Sequence, residues 1–315
     1  MASPVAVAPL PPLAEGLERV HAALFDAVRA DDPGLSEMAT HLIRDGGKRQ
    51  RPAFTMAAAM TASTVAASPL EQAVLGGVSV ELVHLGSLYH DDVMDEATTR
   101  HFVESVNARW GNLQAILAGD YLLAKASEIA AGIGTEVAGL LAATIGRLCE
   151  GQLTELADAF NATRTEERYF RSIAGKTAAL FSTACRIGGL VAGLPRDRVD
   201  ALTTFGLEYG MAFQVVDDIL DVVATDEELG KPAGHDILEG TYTLPVILVL
   251  AAPGGDELRT MLGRPLQAEE LQRARDIVRA NGSLARAVAT AHEHADRAVA
   301  ALGDAAGTES GAWLA

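Results

Sequence analysis

Residues 74–95 read VLGGVSVELVHLGSLYHDDVMD. Val74, Val78, Leu82, Leu85 and Tyr89 recur at the three- and four-residue spacing of one helix face, which predicts a helix packed on a shared core. The helix runs into Asp91-Asp92-Val93-Met94-Asp95, a DDxxD pattern. Its first and last carboxylates are four residues apart, so they project from one face. Three carboxylates within one turn repel each other unless a cation sits among them.

Helical spacing persists on either side of this stretch. Val137, Leu141, Ile145 and Leu148 form one stripe, and Phe205, Tyr209 and Phe213 begin another. Short breaks are expected at Asp45-Gly46-Gly47, Ala67-Ser68-Pro69, Asn161-Ala162-Thr163, Gly193-Leu194-Pro195 and Pro253-Gly254-Gly255. Thr165 before Glu166 and Glu167 reads as a helix N-cap with an acidic first turn. There is no alternating strand pattern, no dividing linker and no solenoid repeat. The expectation is an all-α single domain over 15–315 behind a loose, proline-containing tail at 1–14. The longer segment from Thr225 to Pro245, rich in Gly and Pro, is either a mobile flap over a site or an ordinary surface loop.

Composition narrows the function. The chain has 315 residues, 49% hydrophobic and only 5% aromatic, enough for a substantial helical core. A formal net charge of −17 excludes a phosphate-backbone binder, so no nucleic-acid partner is expected. An anionic substrate would need local basic residues or metal ions bridging to carboxylates. Cys149 and Cys185 match no metal-ligand spacing and read as two small buried hydrophobes in a reducing compartment. The N-terminus lacks a basic signal-peptide start, and no apolar run is long enough to span a bilayer, so a cytoplasmic protein is expected.

The DDxxD pattern returns at Asp217-Asp218-Ile219-Leu220-Asp221, again at the end of an apolar helical stretch. Two such oxygen-only clusters suit Mg²⁺, which keeps waters and commonly bridges carboxylates to phosphates. Gly46-Gly47-Lys48-Arg49-Gln50-Arg51-Pro52 reads as a diphosphate cradle, with Lys48 and Arg51 on one face at i, i+3. His84 lies two turns before Asp91 on nearly the same face, either as a core histidine or as a phosphate contact. His90 reads as a plain structural residue. Lys176-Thr177 enters an apolar helix, where an amine and a hydroxyl could serve an anion or a developing cation. Gln214 precedes Asp217 and Asp218 by three and four residues and faces the same space, and Lys231 could cover a bound diphosphate.

On these stretches the chain resembles the trans-type polyprenyl diphosphate synthases of the polyprenyl synthetase family. The matching segments are GGKRQRP, ELVHLGSLYHDDVMD, NARWGNLQAILAGDYLL, GKTAALF, FQVVDDILD, ELGKPAGHD and EGTYTLP, in the family's order from about residue 44 to 247. The resemblance implies an isoprenoid synthase fold, a helical bundle around a deep central cavity, and a homodimer. It implies condensation of isopentenyl diphosphate with allylic diphosphates. It makes Asp91, Asp95 and Asp217 direct Mg²⁺ ligands, and Asp92, Asp218 and Asp221 direct or water-mediated ones. Arg100, Lys176 and Lys231 would contact the allylic diphosphate. Lys48, Arg51 and His84 would hold isopentenyl diphosphate, and Thr177 and Gln214 would offer oxygens to the allylic cation. Val83, Gly86 and Ser87, all of modest bulk, would leave a deep product tunnel and a product longer than farnesyl.

The match departs in places. His101 stands where the family has the second arginine that helps hold isopentenyl diphosphate, which implies weaker, pH-dependent binding. Phe102 replaces a residue of least bulk, and Thr241 stands where a lysine is usual. The last residues, Gly311-Ala312-Trp313-Leu314-Ala315, read as a helix that family members normally continue past. Two alternatives remain: a class I terpene cyclase, which generally lacks the isopentenyl site and second DDxxD, and a non-catalytic subunit of a heteromeric synthase.

Overall fold

The structure is a computed structural model, and it describes residues 10–44, 46–62, 67–100, 103–225 and 233–315, excepting the side chains of 67–69. The protein is all-α, as expected. In chain order the helices are α1 Pro11–Ala27, α2 Pro33–Arg44, α3 Gln50–Met60, α4 Ala67–Met94, α5 Val106–Trp110, α6 Asn112–Ile133, α7 Thr135–Ala157 and α8 Glu166–Ile173. A π turn at Ala174–Ala178 joins α8 to α9 Ala179–Val191. Then follow α10 Arg196–Val223, α11 His235–Leu238, α12 Leu244–Ala251, α13 Asp256–Met261, α14 Ala268–Ala280, α15 Ser283–Leu302 and α16 Glu309–Leu314.

Two compact units are distinguished. One comprises Met1–Ile145, Leu180–Gly206 and Val299–Ala315, and the other Gly146–Ala179 and Leu207–Ala298. In the first, the stripe Val74, Val78, Leu82, Leu85 and Tyr89 of α4 is buried, as its periodicity requires. Helix α4 packs closely on α6: a Cβ on Gly86 would lie 3.1 Å from the Gly119 carbonyl. Phe54 of α3 stacks on Phe205 at 5.8 Å and meets Phe181 and Trp313 edge-on at 5.4 and 6.2 Å.

In the second unit, Tyr169, Ile173, Val215, Ile219, Leu244 and Leu248 form one core cluster. Val222, Tyr242, Val246, Leu258 and Leu262 belong to another. Arg275 and Arg279 of α14 close the C-terminus of α10. Arg275 donates to the Val222 and Ala224 carbonyls at 3.2 and 2.7 Å, and Arg279 to those of Val222 and Val223 at 3.1 Å. Guanidinium groups there satisfy orphan carbonyls and oppose the negative end of the helix dipole.

Thr165 caps α8 as predicted, accepting from the Arg168 amide at 3.3 Å. Other expectations need correction. Ala67-Ser68-Pro69 does not break the chain; it opens α4, where a proline in the first turn forfeits no hydrogen bond. A two-residue ladder, Thr99–Arg100 (β1) against Val103–Glu104 (β2), was not anticipated, being too short for an alternating pattern. Cys185 is buried but Cys149 is exposed, because it falls on an outer face of α7. Asp45, residues 1–9 and most of the Thr225–Pro245 segment's first half, 226–232, lie outside the described residues. From Ala233 onward that segment is anchored rather than loose. Arg164 donates to the Tyr242 carbonyl at 3.0 Å, and the buried Tyr242 hydroxyl accepts from the Gly263 amide at 2.7 Å.

Candidate active site

The first acidic motif ends α4. Asp95 is exposed and Asp91 half-buried, whereas Asp92, a quarter-turn away, is 0% exposed. A carboxylate in that position needs a partner. The chain supplies it by turning back after Asp95, with Glu96 at φ 49°, so that Arg100 on β1 donates to Asp92 through Nε at 2.8 Å and Nη2 at 2.5 Å. Asn107 ties the same turn by donating to the carbonyls of Asp92 and Ala97. Arg100 therefore anchors the motif as well as carrying positive charge beside it.

The glycine-rich basic stretch lies just before α3. Gly46, Gly47 and Arg49 all have positive φ, of 89°, 72° and 45°. The i, i+3 helical relation expected for Lys48 and Arg51 is thus incorrect: the left-handed Arg49 separates an exposed Lys48 in the loop from Arg51 in the first turn of α3. Arg51 stacks its guanidinium over Phe181, 4.7 Å from the ring centre. Arg49, which the motif reading passed over, fixes the loop by donating to Glu81 of α4 at 2.8 Å and to the Ile43 carbonyl at 2.9 Å. His84 is half-buried on α4, and Ser87, also half-buried, donates to its carbonyl at 2.8 Å. Val83 and Gly86 are buried. His101, Phe102 and Lys231 lie outside the described residues.

The second acidic motif ends α10. Asp217 is exposed, whereas Asp218 and Asp221 are 2% and 3% exposed. Asp221 accepts from the Asp236 amide at 3.2 Å. Both oxygens of Asp218 are engaged: Tyr169 donates its hydroxyl at 2.5 Å and Gln214 its amide at 2.9 Å. Gln214 in turn accepts from the Thr177 hydroxyl at 2.7 Å. Lys176 pairs with Glu155 of α7.

Lys176 and Thr177 owe their place to the π turn, which forms where two glycines let backbones touch. A Cβ on Gly151 would lie 2.4 Å from the Lys176 amide nitrogen, and one on Gly175 would lie 2.7 Å from the Arg147 carbonyl. Sequence alone indicated Lys176, Thr177 and Gln214. It carried no signal for Tyr169 or Glu155, whose partners lie on other helices.

Burial pushes the Asp218 carboxyl up to about 7; the Tyr169 and Gln214 hydrogen bonds oppose this, and the charges of Asp217 and Glu155 add to it. A carboxyl raised in the folded state favours the native protein when protonated, so ionisation above about 7 weakens the metal-free fold, and the effect fades as pH falls toward the unfolded value of about 3.9. Asp218→Asn is expected to stabilise metal-free protein by about 2 kcal/mol at pH 8, with the gain shrinking toward pH 4. Thermal unfolding of both proteins at the two pH values checks it.

The donor chemistry of both motifs fits a hard divalent cation. Each motif, taken by itself, offers carboxylate oxygens at a helix end, and at each an outer aspartate, Asp95 or Asp217, is exposed to water and phosphate.

Comparison with known proteins follows the same line. The polyprenyl synthetase family profile matches residues 32–278. A nonaprenyl diphosphate synthase from Mycobacterium tuberculosis is 39% identical over 276 residues, covering 86% of this chain and 81% of the relative. Component 2 of the Geobacillus stearothermophilus heptaprenyl diphosphate synthase is 36% identical, covering 91% and 89%. The fold matches a decaprenyl diphosphate synthase from Rhodobacter capsulatus with a TM-score of 0.89 at 34% identity, over 96% of this chain and 94% of that one. It also matches a Caulobacter crescentus polyprenyl synthase complexed with calcium and isoprenyl diphosphate, with a TM-score of 0.87 at 32% identity over 93% and 89%. A profile match across most of the chain, with relatives this similar over nearly their full length, establishes that the chain belongs to the polyprenyl synthetase family.

Proposed function

We propose that this chain condenses isopentenyl diphosphate with allylic diphosphates, head to tail and in trans, to a polyprenyl diphosphate longer than farnesyl, using Mg²⁺. The observation that carries this reading is the pair of acidic helix ends, together with a lysine, a hydroxyl and an amide gathered beside the second. Asp91, Asp95 and Asp217 hold Mg²⁺, with Asp92, Asp218 and Asp221 in support. Bound there, Mg²⁺ supplies Lewis-acid stabilisation of the departing diphosphate.

Lys176, Arg100 and Lys231 neutralise the allylic diphosphate as its bond to C1 breaks. Thr177 and Gln214 turn oxygens toward the allylic cation, a preorganised electrostatic effect. Lys48, Arg51 and His84 hold isopentenyl diphosphate so that its double bond attacks C1. The proton then lost passes to the released diphosphate. Apolar helices exclude water, which would otherwise quench the cation. We place the enzyme in the cytoplasm as a homodimer, and among the described residues no helix is long and apolar enough to cross a membrane.

Purified protein incubated with Mg²⁺, labelled isopentenyl diphosphate and allylic starters from dimethylallyl to geranylgeranyl is expected to give a ladder ending at one long product. A second reading draws on the relative named as one component of a synthase: the chain then needs a partner. Absence of elongation by the chain alone would favour it.

Product length tests the tunnel. Ser87→Phe, adding an aromatic ring one turn before Asp91, is expected to shorten the final product by at least one five-carbon unit. Sizing the dephosphorylated products checks this, and an unchanged length would remove residues 83, 86 and 87 from the tunnel.

A further inference from the structure

We infer that Tyr169 is a positioning residue that sets the polarity of a hydrogen-bond relay through Asp218 and Gln214 to Thr177, so that Thr177 presents oxygen lone pairs, not a proton, to an electron-poor substrate carbon. The inference rests on the function proposed above and adds to it a residue and a direction.

With the Asp218 carboxylate ionised, the relay has one consistent orientation. An ionised carboxylate only accepts. Asp218 takes the Tyr169 hydroxyl on Oδ2 at 2.5 Å, so Oδ1 is the oxygen that meets Gln214. Gln214 must turn its amide nitrogen to that oxygen, at 2.9 Å, and its carbonyl is thereby aimed the other way. Thr177 meets that carbonyl at 2.7 Å and must donate to it. With its proton committed, the lone pairs of Thr177 Oγ1 are what remains to interact with a cation. Reversing the amide would turn the Thr177 proton outward and place positive charge where a cation develops.

Tyr169 is built to hold one end of this chain. It is 1% exposed and belongs to the core cluster with Val215 and Ile219 of α10. Its ring is flanked by Phe170 at 5.1 Å and by the Arg164 guanidinium at 5.6 Å. Arg164 is itself fixed by Ser172 at 2.5 Å and by the Tyr242 carbonyl at 3.0 Å. The phenol therefore cannot swing away from Asp218 without disturbing a packed core.

The test is a double-mutant cycle on turnover, normalised by active-site titration. Tyr169→Phe removes one hydrogen bond to a charged group and is expected to lower kcat about tenfold, with KM for both substrates unchanged. Thr177→Val removes the far end of the relay. If Tyr169 acts through Thr177, adding Tyr169→Phe to Thr177→Val changes kcat less than twofold; equal losses in both backgrounds overturn the relay and leave Tyr169 a packing residue.

A second readout needs no catalysis. The Gln214 side-chain amide protons, followed by NMR, are expected to be protected from exchange in the wild type and to lose protection at least tenfold in Tyr169→Phe. Unchanged protection overturns the relay even in an active enzyme. An inactive wild type with this exchange pattern would instead overturn the proposed function and leave the relay standing.

Discussion

Asp217→Asn is expected to lower the rate of prenyl transfer about 10³-fold while leaving the fold intact. The side chain is exposed, so exchanging carboxylate for an amide of the same size leaves the packed core untouched. What it removes is one negative oxygen from the set proposed above to hold the metal. Metal stabilisation of developing charge amounts to several kcal/mol, and each 1.36 kcal/mol is tenfold in rate. Incorporation of labelled isopentenyl diphosphate, with circular-dichroism melting as control, measures both halves. A loss below tenfold would place the cation elsewhere. The contrast with Asp218→Asn is instructive: that carboxylate is buried, so its replacement is expected to raise metal-free stability.

The second large effect lies in a residue with no chemistry. Gly151→Ala is expected to destabilise the protein by about 1–3 kcal/mol and to lower turnover about 10²-fold. The added methyl would sit 2.4 Å from the Lys176 nitrogen, 2.8 Å from the Ser172 carbonyl and 2.9 Å from the Gly175 carbonyl carbon. These are backbone atoms, which cannot rotate aside as a side chain would. Helix α7 and the π turn must separate, and Lys176 and Thr177 move with the turn. Melting temperature and kcat read the two consequences. A variant that melts normally and turns over normally would show that the π turn tolerates displacement.

Much of this was legible in advance. The buried stripe of α4 follows from the spacing of Val74, Val78, Leu82, Leu85 and Tyr89, because a helix brings every third or fourth residue to one face. The cap at Thr165 is equally local. The two DDxxD motifs announced themselves because their chemistry is written within one helical turn.

The failures share a cause. The i, i+3 reading of Lys48 and Arg51 assumed a helix where the left-handed Arg49, held by Glu81 and the Ile43 carbonyl, interrupts it. Nothing local distinguishes the buried Asp92 from Asp95; the turn that returns Arg100 decides that. The helices, the acidic clusters and the family could be read from the residues alone, since these depend on neighbours within a turn or on order along the chain. The packing of helices from distant parts of the chain sets which carboxylates are held by protein donors, why Lys176 and Thr177 sit on a π turn, and that Tyr169 meets Asp218 and Glu155 meets Lys176. Each of those depends on groups from different helices whose encounter no spacing along the chain records.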